Sequence, residues 1–232
     1  MECSIIIPVY NEAESLKILH TELQTAVAPL FREYEVLYVD DGSTDGSAWI
    51  LENLRRQDTH VRVISFLRNR GQSAALWEGF RAARGRWIVT LDADLQNPPQ
   101  EISKLAAFTD RFECVVGIRQ MRKDSFMKRF ASRVARVCRR IVLGDITKDT
   151  GCSLRICQKE AACAIPPFRN FHRYFPFLVR RMGFSLKEIP LAHRPRRYGV
   201  SKYGTIKRAV EGSIDLWGVW WLSRRLLKKS RG

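Results

Sequence analysis

Two aspartates one residue apart, Asp92 and Asp94, follow the apolar run 87–91. A buried strand that ends in such a pair places both carboxylates at the carboxyl edge of a sheet, where open α/β folds bind ligands. Two hard oxygen ligands at that position suit Mg²⁺ or Mn²⁺ shared with a phosphorylated substrate. The triplet alone is a weak signal, because acidic pairs occur more often in solvated turns or at helix starts, so the rest of the chain has to decide.

Acidic residues also follow the first two predicted strands. Glu12 comes directly after the first, and Asp40 and Asp41 end the second. Such carboxylates can accept hydrogen bonds from a base or a ribose, and Gly42 and Gly46 permit a tight backbone path beside a ligand. The same residues could form only a turn with helix caps. Acidic residues at three strand ends of one sheet favour a cleft for a nucleotide and a metal.

Strands and helices alternate in the first half of the chain, and this alternation predicts how the acids are positioned. It is typical of an α/β fold, with a mostly parallel sheet flanked by helices. The predicted strands are 3–9, 35–40, 61–66, 87–92 and 114–118, and the predicted helices are 15–28, 47–57, 72–83 and 100–108.

The second half has a different pattern. A helix is predicted over 125–143, with an apolar stripe at helical spacing and arginines around it. We expect the stripe to face the core, although basic amphipathic helices also lie on membranes. A hairpin-like region is predicted from 150–157 and 185–189, and the arginine-rich loop 193–204 precedes a last helix.

Charge is distributed unevenly along the 232 residues, which carry +16 overall. Residues 1–118 contain 12 basic and 17 acidic side chains, a net charge of −5, whereas residues 119–232 contain 28 and 7, a net charge of +21. The basic half therefore needs an anionic partner. Nucleic acid, anionic lipid headgroups and a phosphate-bearing substrate all qualify.

Composition restricts the class of protein further. A hydrophobic content of 45% in a chain of this length fits one large α/β domain, with or without a small appendage. The six cysteines form no Cys-x-x-Cys pair, which favours buried free thiols in a reducing cytoplasm. The four histidines show no metal-ligand spacing. A strand predicted from residue 3 leaves no room for a signal peptide, and no apolar stretch reaches the ~18–20 residues that cross a bilayer.

Five motifs in order resemble those of family-2 glycosyltransferases. They are Pro-Val-Tyr-Asn-Glu at 8–12, Asp-Asp-Gly-Ser-Thr-Asp-Gly at 40–46, Asp-Ala-Asp-Leu-Gln-Asn-Pro-Pro-Gln-Glu at 92–101, Asp-Thr-Gly-Cys-Ser-Leu-Arg at 149–155, and Arg-Arg-Tyr-Gly-Val-Ser-Lys-Tyr at 196–203. The chain is most similar to the dolichol-phosphate mannosyltransferase and polyprenyl-phosphate glycosyltransferase branch. The resemblance implies a GT-A fold, a nucleotide-sugar donor (GDP-mannose or UDP-hexose), Mg²⁺ or Mn²⁺, and a polyprenyl-phosphate acceptor such as dolichyl or undecaprenyl phosphate.

The resemblance also implies roles for individual residues. The metal would be held by Asp92, Asp94 and Gln96, and the acceptor phosphate by Arg119, Arg129 and Ser132, with Lys128 as the alternative to Arg129. The family usually has Ser-Gly-Phe-Arg where this chain has Gly-Cys-Ser-Leu-Arg, which leaves the roles of Asp149 and Arg155 open. The implied donor-binding residues are Pro8, Tyr10, Glu12, Asp40, Asp41, Asp92 and Arg196, and the implied catalytic residues are Asp94, Arg119, Arg129 and Lys202.

The predicted organisation is a glycosyltransferase domain over 1–204, with a nucleotide-sugar and metal half (1–118) and an acceptor half (119–204). A tryptophan-rich, basic helix over 205–232 completes it. That helix could pack on the domain or lie on a membrane; a polyprenyl acceptor favours a peripheral location on the cytoplasmic face, with or without a membrane-protein partner.

An anionic acceptor phosphate needs no general base, so an inverting transfer would depend on positioning and charge stabilisation. The nearest alternative is the same fold acting on a soluble or polysaccharide hydroxyl acceptor. A metal-dependent nucleotidyltransferase would usually have a phosphate-binding glycine-rich loop early in the chain. The first loop of this chain is Pro-Val-Tyr-Asn-Glu instead, which disfavours that class. A basic nucleic-acid-binding protein is disfavoured by the acidic strand ends, so no nucleic-acid partner is expected.

Overall fold

The computed structural model describes residues 1–120, 126–195 and 205–226, and it describes the side chains of all of these except 126–132 and 205–211. One seven-stranded sheet runs through both predicted halves of the chain, in the order β3-β2-β1-β4-β6-β5-β7. Its strands are β1 (Cys3–Val9), β2 (Tyr34–Asp40), β3 (Val61–Ser65), β4 (Trp87–Thr90), β5 (Cys114–Arg119), β6 (Arg155–Gln158) and β7 (Leu186–Leu191).

Helices cover both faces of this sheet. They are α1 (Ala13–Val27), α2 (Ser47–Gln57), α3 (Gln72–Ala82), α4 (Ile102–Ala106), α5 (Phe126–Leu143), α6 (Lys159–Cys163), α7 (Phe175–Arg181) and α8 (Thr205–Ser223), with 3₁₀ turns at Pro99–Glu101 and Phe171–Arg173. The predicted α/β, GT-A-type architecture is confirmed.

The central strands are apolar throughout because both of their faces are covered. In β1, Ile5 and Ile7 belong to the core cluster that contains the buried leucines of α1 and α2, whereas Ile6 belongs to the cluster that contains Phe80 of α3. A continuous run of isoleucines therefore fits this strand, where an alternating pattern would leave one face polar.

The position of β1 creates a crevice at the carboxyl edge of the sheet. β1 pairs in parallel with β2 on one side and with β4 on the other. The chain runs from β1 to β2 and β3 on one side of β1 and then crosses to β4 on the other side. Such a reversal of strand order opens a ligand crevice beyond the strand ends. The segments after β1, β2 and β4 all meet at this edge.

The hairpin predicted from 150–157 and 185–189 is wrong. β6 is antiparallel and lies between β4 and β5, and β7 lies parallel to β5 at the edge of the sheet. Local sequence indicates that both segments are strands, but their partners come from distant parts of the chain. The helix predicted over 100–108 divides into the turn Pro99–Glu101 and the short α4. The strand predicted over 87–92 ends at Thr90, so the two aspartates lie in the loop beyond it.

The prediction that the apolar stripe of α5 faces the core is wrong for its described residues. Val134, Val137 and Ile141 are 46%, 50% and 78% exposed. Cys138 on the same helix is exposed as well, contrary to the expectation of buried thiols. Helical periodicity shows only that one face of a helix is apolar, and it does not identify what covers that face.

The last helix, α8, packs against α5 and also exposes apolar side chains. Ile214, Trp217 and Trp221 are exposed, whereas Val219 is buried against the body of the protein. Within the described part of the chain, no helix combines the length and the apolar content that crossing a bilayer requires.

Candidate active site

The two aspartates of the 92–94 motif lie at the crevice, and neighbouring groups orient both carboxylates. Gln72, the first residue of α3, donates from Nε2 to Oδ1 of Asp92 at 2.8 Å. The backbone N–H of Gln96 donates to Oδ1 of Asp94 at 3.2 Å. Asp94 is buried and Asp92 is partly exposed. The structure therefore brings together the three predicted metal ligands, Asp92, Asp94 and Gln96, on one short loop.

Backbone strain marks the same region. Among the described residues, three that are not glycine have a positive φ, namely Asn11 at 55°, Leu95 at 61° and Asn170 at 67°. Asn11 precedes Glu12 and Leu95 follows Asp94, so two of them adjoin predicted ligand residues. Such conformations cost about 1–3 kcal/mol each and cluster at functional sites.

The residues predicted to bind the nucleoside lie at the ends of β1 and β2. Pro8, Tyr10 and Glu12 are partly exposed there, and Asp40 is buried. The loop after β2 is fixed against the loop after β1, because the backbone N–H of Glu12 donates to Oγ of Ser47 at 3.0 Å. These contacts form a wall of the crevice, and the donor contacts themselves stay predictions.

Asp41 organises a loop that the sequence reasoning did not identify. Its carboxylate accepts hydrogen bonds from Nδ2 of Asn69 and from the backbone N–H groups of Arg70 and Gly71, at 2.9, 2.7 and 2.8 Å. Burial raises the pKa of Asp41, against the effect of the two backbone hydrogen bonds. Asp41 thus positions the loop that leads into Gln72, whatever contact it makes with a donor.

Gly42 allows this loop to approach. A Cβ at Gly42 would lie 2.6 Å from the carbonyl carbon of Arg68, and the φ of Gly42 is +70°. The sequence feature that could have revealed the loop is its position, since 66–71 follows β3 and every parallel strand of this sheet ends at the same edge.

Arg119, predicted to bind acceptor phosphate, forms a two-point ion pair with Asp149. Nε of Arg119 contacts Oδ2 and Nη2 contacts Oδ1, both at 2.8 Å, and the backbone N–H of Arg119 donates to Oδ2 at 3.0 Å. Burial alone would raise the pKa of Asp149, but the hydrogen bonds and charge of Arg119 outweigh it and lower that pKa to about 2. The structure thus gives Asp149, whose role the sequence left open, the task of holding Arg119.

Gly151 completes this arrangement. A Cβ at position 151 would overlap the guanidinium of Arg119, so only glycine leaves room for the arginine in this orientation. The pairing joins the end of β5 to the loop before β6, two segments whose contact no local sequence pattern indicates.

The donor set at Asp92 and Asp94 fits a hard divalent cation, because it consists of carboxylate and amide oxygens. Nowhere among the described residues do three or more His, Cys, Asp or Glu side chains gather into a group that could hold a metal. A metal here would therefore depend on Gln96 and on oxygen atoms supplied by the bound ligand.

Several predicted residues lie outside the described parts of the chain. These are Arg196 and Lys202, together with the side chains of Lys128, Arg129 and Ser132. The described residues just before Arg196 lie beside the loop that carries Asp92, Asp94 and Gln96. The backbone N–H of Arg194 donates to the carbonyl oxygen of Gln96 at 2.8 Å. The roles of these residues stay predictions.

Comparison with known families places the chain among glycosyltransferases. The model of Glycosyl transferase family 2 matches residues 4–165, which include the ends of β1 and β2, the loop with Asp92 and Asp94, and the Arg119–Asp149 pair. The chain belongs to this family and is a glycosyltransferase.

Solved structures of glycosyltransferases share the fold. Glucosyl-3-phosphoglycerate synthase from Mycobacterium tuberculosis, in complex with phosphoglyceric acid, is 18% identical with a TM-score of 0.69, over 100% of this chain and 82% of that one. Mannosyltransferase PcManGT from Pyrobaculum calidifontis, in complex with GDP-Man and Mn²⁺, is 18% identical with a TM-score of 0.68, over 94% of this chain and 63% of that one. S. aureus TarS 1–349 is 16% identical with a TM-score of 0.64, over 96% of this chain and 65% of that one.

Proposed function

We propose that this glycosyltransferase transfers a hexose from GDP-mannose or a UDP-hexose to the phosphate of a polyprenyl phosphate, with inversion at the anomeric carbon. The crevice at the ends of β1, β2 and β4 supports a nucleotide-sugar donor. Structures of the same fold were solved with UDP and Mn²⁺ or with GDP-Man and Mn²⁺. The donor is therefore the part of the proposal that the fold supports most directly.

Asp92, Asp94 and Gln96 would hold Mg²⁺ or Mn²⁺ in this proposal. Bound there, the ion would neutralise negative charge that develops on the leaving nucleoside diphosphate. Gln72 and the backbone of Gln96 hold the two carboxylates in place before any ligand arrives, so little reorganisation is needed on binding.

At the acceptor end of the site, the proposal assigns the binding of phosphate to cations, of which Arg119 is the one whose side chain the described residues include. Arg119 lies at the carboxyl end of β5, and its ion pair with Asp149 fixes the guanidinium in one orientation at that edge of the sheet. A phosphate monoester is already anionic near neutral pH, so it can attack without giving up a proton. The contribution of the protein is then to align the acceptor oxygen with the anomeric carbon.

The observation that carries the lipid acceptor is an exposed apolar surface on α5 and α8, which we call the α5–α8 surface. Exposed arginines lie beside it, and Arg224 and Arg225 each stack 4.4 Å over a tryptophan ring of α8. Tryptophan and arginine at the border of an apolar patch suit the headgroup region of an anionic bilayer. The surface consists of Val134, Val137 and Ile141 of α5 and Ile214, Trp217 and Trp221 of α8.

The α5–α8 surface adjoins the crevice. α5 follows β5, whose carboxyl end carries Arg119, and Asp215 of α8 accepts a hydrogen bond from Nδ2 of Asn170 at 2.9 Å. Asn170 in turn contacts Ser73 at the start of α3. A membrane on this surface would present the phosphate of an embedded polyprenyl chain near the cationic end of the site.

We place the protein on the cytoplasmic face of the membrane as part of the same proposal. All six cysteines are free, which supports a reducing compartment. Lipid contact through α5 and α8 would hold the protein at the surface without a spanning helix.

Radiolabelled donors test the proposal directly. A panel of GDP- and UDP-sugars with Mn²⁺ is incubated with undecaprenyl or dolichyl phosphate in vesicles, and in parallel with 3-phosphoglycerate or an oligosaccharide. We expect label in the organic-extractable lipid. Label found only in the aqueous acceptors would replace the lipid acceptor by the soluble alternative while leaving the transferase assignment intact.

A further inference from the structure

A second layer of polar side chains lies behind Asp92, on the segment before α7. Nδ1 of His172 is 2.9 Å from Oγ of Ser73, the residue after Gln72 on α3. Gln72 donates a hydrogen bond to Asp92. The adjacent residues Gln72 and Ser73 therefore contact the 92–94 motif and His172, respectively. The backbone N–H of Asn170 also donates to Oγ of Ser73, at 2.9 Å.

Arg155 adjoins this layer from the sheet. It is paired with Thr90 at the end of β4, two residues before Asp92. Its guanidinium lies 4.3 Å over the ring of Phe175, and its Nε donates to the carbonyl oxygen of Ser153 at 3.3 Å. Arg155 is 4% exposed, and no ion pair joins it to any residue that the structure describes. Burial lowers the pKa of Arg155 and the charge of Asp92 opposes this shift, but within the described residues no carboxylate contacts the guanidinium directly. A ligand with acceptor oxygens would therefore be favourable at this position.

His172 offers a neutral hydrogen-bond donor beside that cation. Burial, and then the charges of Arg155 and Arg173, lower the pKa of His172 to about 3, so its ring is neutral at pH 7. Oγ of Ser73 accepts from the backbone N–H of Asn170 and can donate its own proton to Nδ1 of His172; in that tautomer Nε2 carries the ring proton. Nε2 makes no hydrogen bond within the described residues, and His172 as a whole residue is partly exposed.

We propose that His172 and Arg155 form the subsite that recognises the transferred sugar, with both side chains donating to its hydroxyl oxygens. The inference rests on the proposed function only for the nucleotide-sugar donor. The diphosphate is assigned to the metal at Asp92 and Asp94, and the sugar is the next group along the donor. A neutral imidazole suits a hydroxyl oxygen better than a charged phosphate, and the planar guanidinium of Arg155, held over the ring of Phe175, can donate to two neighbouring acceptors.

Binding without an acceptor tests this subsite. Wild type and His172→Ala are titrated at pH 7 with Mn²⁺ and, separately, UDP, UDP-glucose, GDP and GDP-mannose. Loss of one hydrogen bond predicts about five- to tenfold weaker binding of the sugar nucleotide that wild type prefers. Affinity for the matching nucleoside diphosphate should not change. His172→Gln, which restores an N–H donor, should recover part of the loss.

Two further variants separate recognition from structure. Ser73→Ala removes the hydrogen bond that orients the His172 ring but keeps the ring itself. It should weaken binding of the sugar nucleotide, but by less than His172→Ala does. His60→Ala removes a half-exposed histidine that contacts Asp58, and it should leave every affinity unchanged.

The proposal is overturned if His172→Ala weakens the binding of UDP or GDP as much as the binding of the sugar nucleotides. His172 would then contribute to diphosphate binding or to the stability of the fold. Unchanged affinity for all four ligands would also overturn it. No lipid is present, so these results do not depend on the acceptor. Failure of wild type to bind any nucleotide sugar would instead count against the proposed function.

Discussion

The halves 1–118 and 119–232 contribute to one sheet but differ in how their charges are used. In the first half, with a net charge of −5, the site carboxylates are held by groups close by, as Gln72 holds Asp92 and the 69–71 loop holds Asp41. In the second half, with a net charge of +21, Arg119 is fixed by Asp149, but arginines of α5, and Arg224 and Arg225 just after α8, are exposed beside apolar side chains.

Under the proposed function, this difference separates a preorganised donor side of the site from an acceptor side that a membrane would complete. Internal hydrogen bonds fix the donor side, so its geometry exists before the ligand binds. In the same proposal, the exposed cations and apolar residues of the acceptor side would be stabilised when an anionic, apolar surface covers them. The variants described below affect one side and leave the other unchanged.

We expect the largest effect on the transfer rate from a substitution at Asp94, in the loop after β4. Asp94→Asn should lower transfer by about a thousandfold or more, because charge on the leaving group loses its stabilisation. The rate is measured with labelled donor and saturating Mn²⁺, and circular dichroism confirms the fold. Turnover like that of wild type would contradict the assignment of Asp94 to the metal.

The Arg119–Asp149 pair tests the fixed part of the second half. Asp149→Asn leaves the partly buried Arg119 without its carboxylate, and we expect the free energy of unfolding to fall by about 3 kcal/mol. Urea denaturation at pH 7 gives the value. Gly151→Ala, which crowds the same guanidinium, should act in the same direction. A change below about 0.5 kcal/mol in both variants would be the size of an ordinary surface substitution and would refute the role of the pair.

The exposed part of the second half is tested by vesicle binding. The double substitution Ile141→Asp with Trp217→Asp should weaken binding to anionic vesicles by at least about tenfold, since each apolar side chain contributes about 1.5–3 kcal/mol when fully buried. Trp49 on α2 is equally exposed, at 68%, and lies in the first half, so Trp49→Asp is the matched control. Equal losses in the two proteins would show that the α5–α8 surface has no special role.

The smallest effect concerns acid stability. The pKa of Asp149 is lowered from 3.8 to about 2 in the folded protein, so this carboxyl stabilises the fold above pH 4 and loses that contribution as the pH falls from 4 to 2. The loss is roughly 2 kcal/mol. The stability difference between wild type and Asp149→Asn should therefore shrink between pH 6 and pH 2.5. A difference that stays constant over this range would mean that the pairing does not control the pKa.

Much of the first half follows from its sequence. β1 and α2 have the predicted bounds, because a strand buried on both faces and a helix after a capped turn each carry a local pattern. The sequence also predicts that the acidic residues at the strand ends share one edge of the sheet, because parallel strands place their carboxyl ends together.

The rest depends on contacts between distant residues. Gln72 and Asp92, or Arg119 and Asp149, meet only because strands far apart in the chain become neighbours. The orientation of α5 was predicted wrongly for a related reason. Its pattern specifies an apolar face, and the same pattern fits a protein core and a lipid surface.

The placement of β6 has a consequence for biosynthesis. β4 pairs with β1 on one side and with β6 on the other, and β6 belongs to the second half. While the chain emerges from the ribosome, Ile88 and Val89 of β4 therefore lie on an open strand edge, which is prone to aggregation until residues 155–158 arrive. A polypeptide cut near residue 118 would keep that edge permanently open, so the two halves are interdependent for solubility as well as for chemistry.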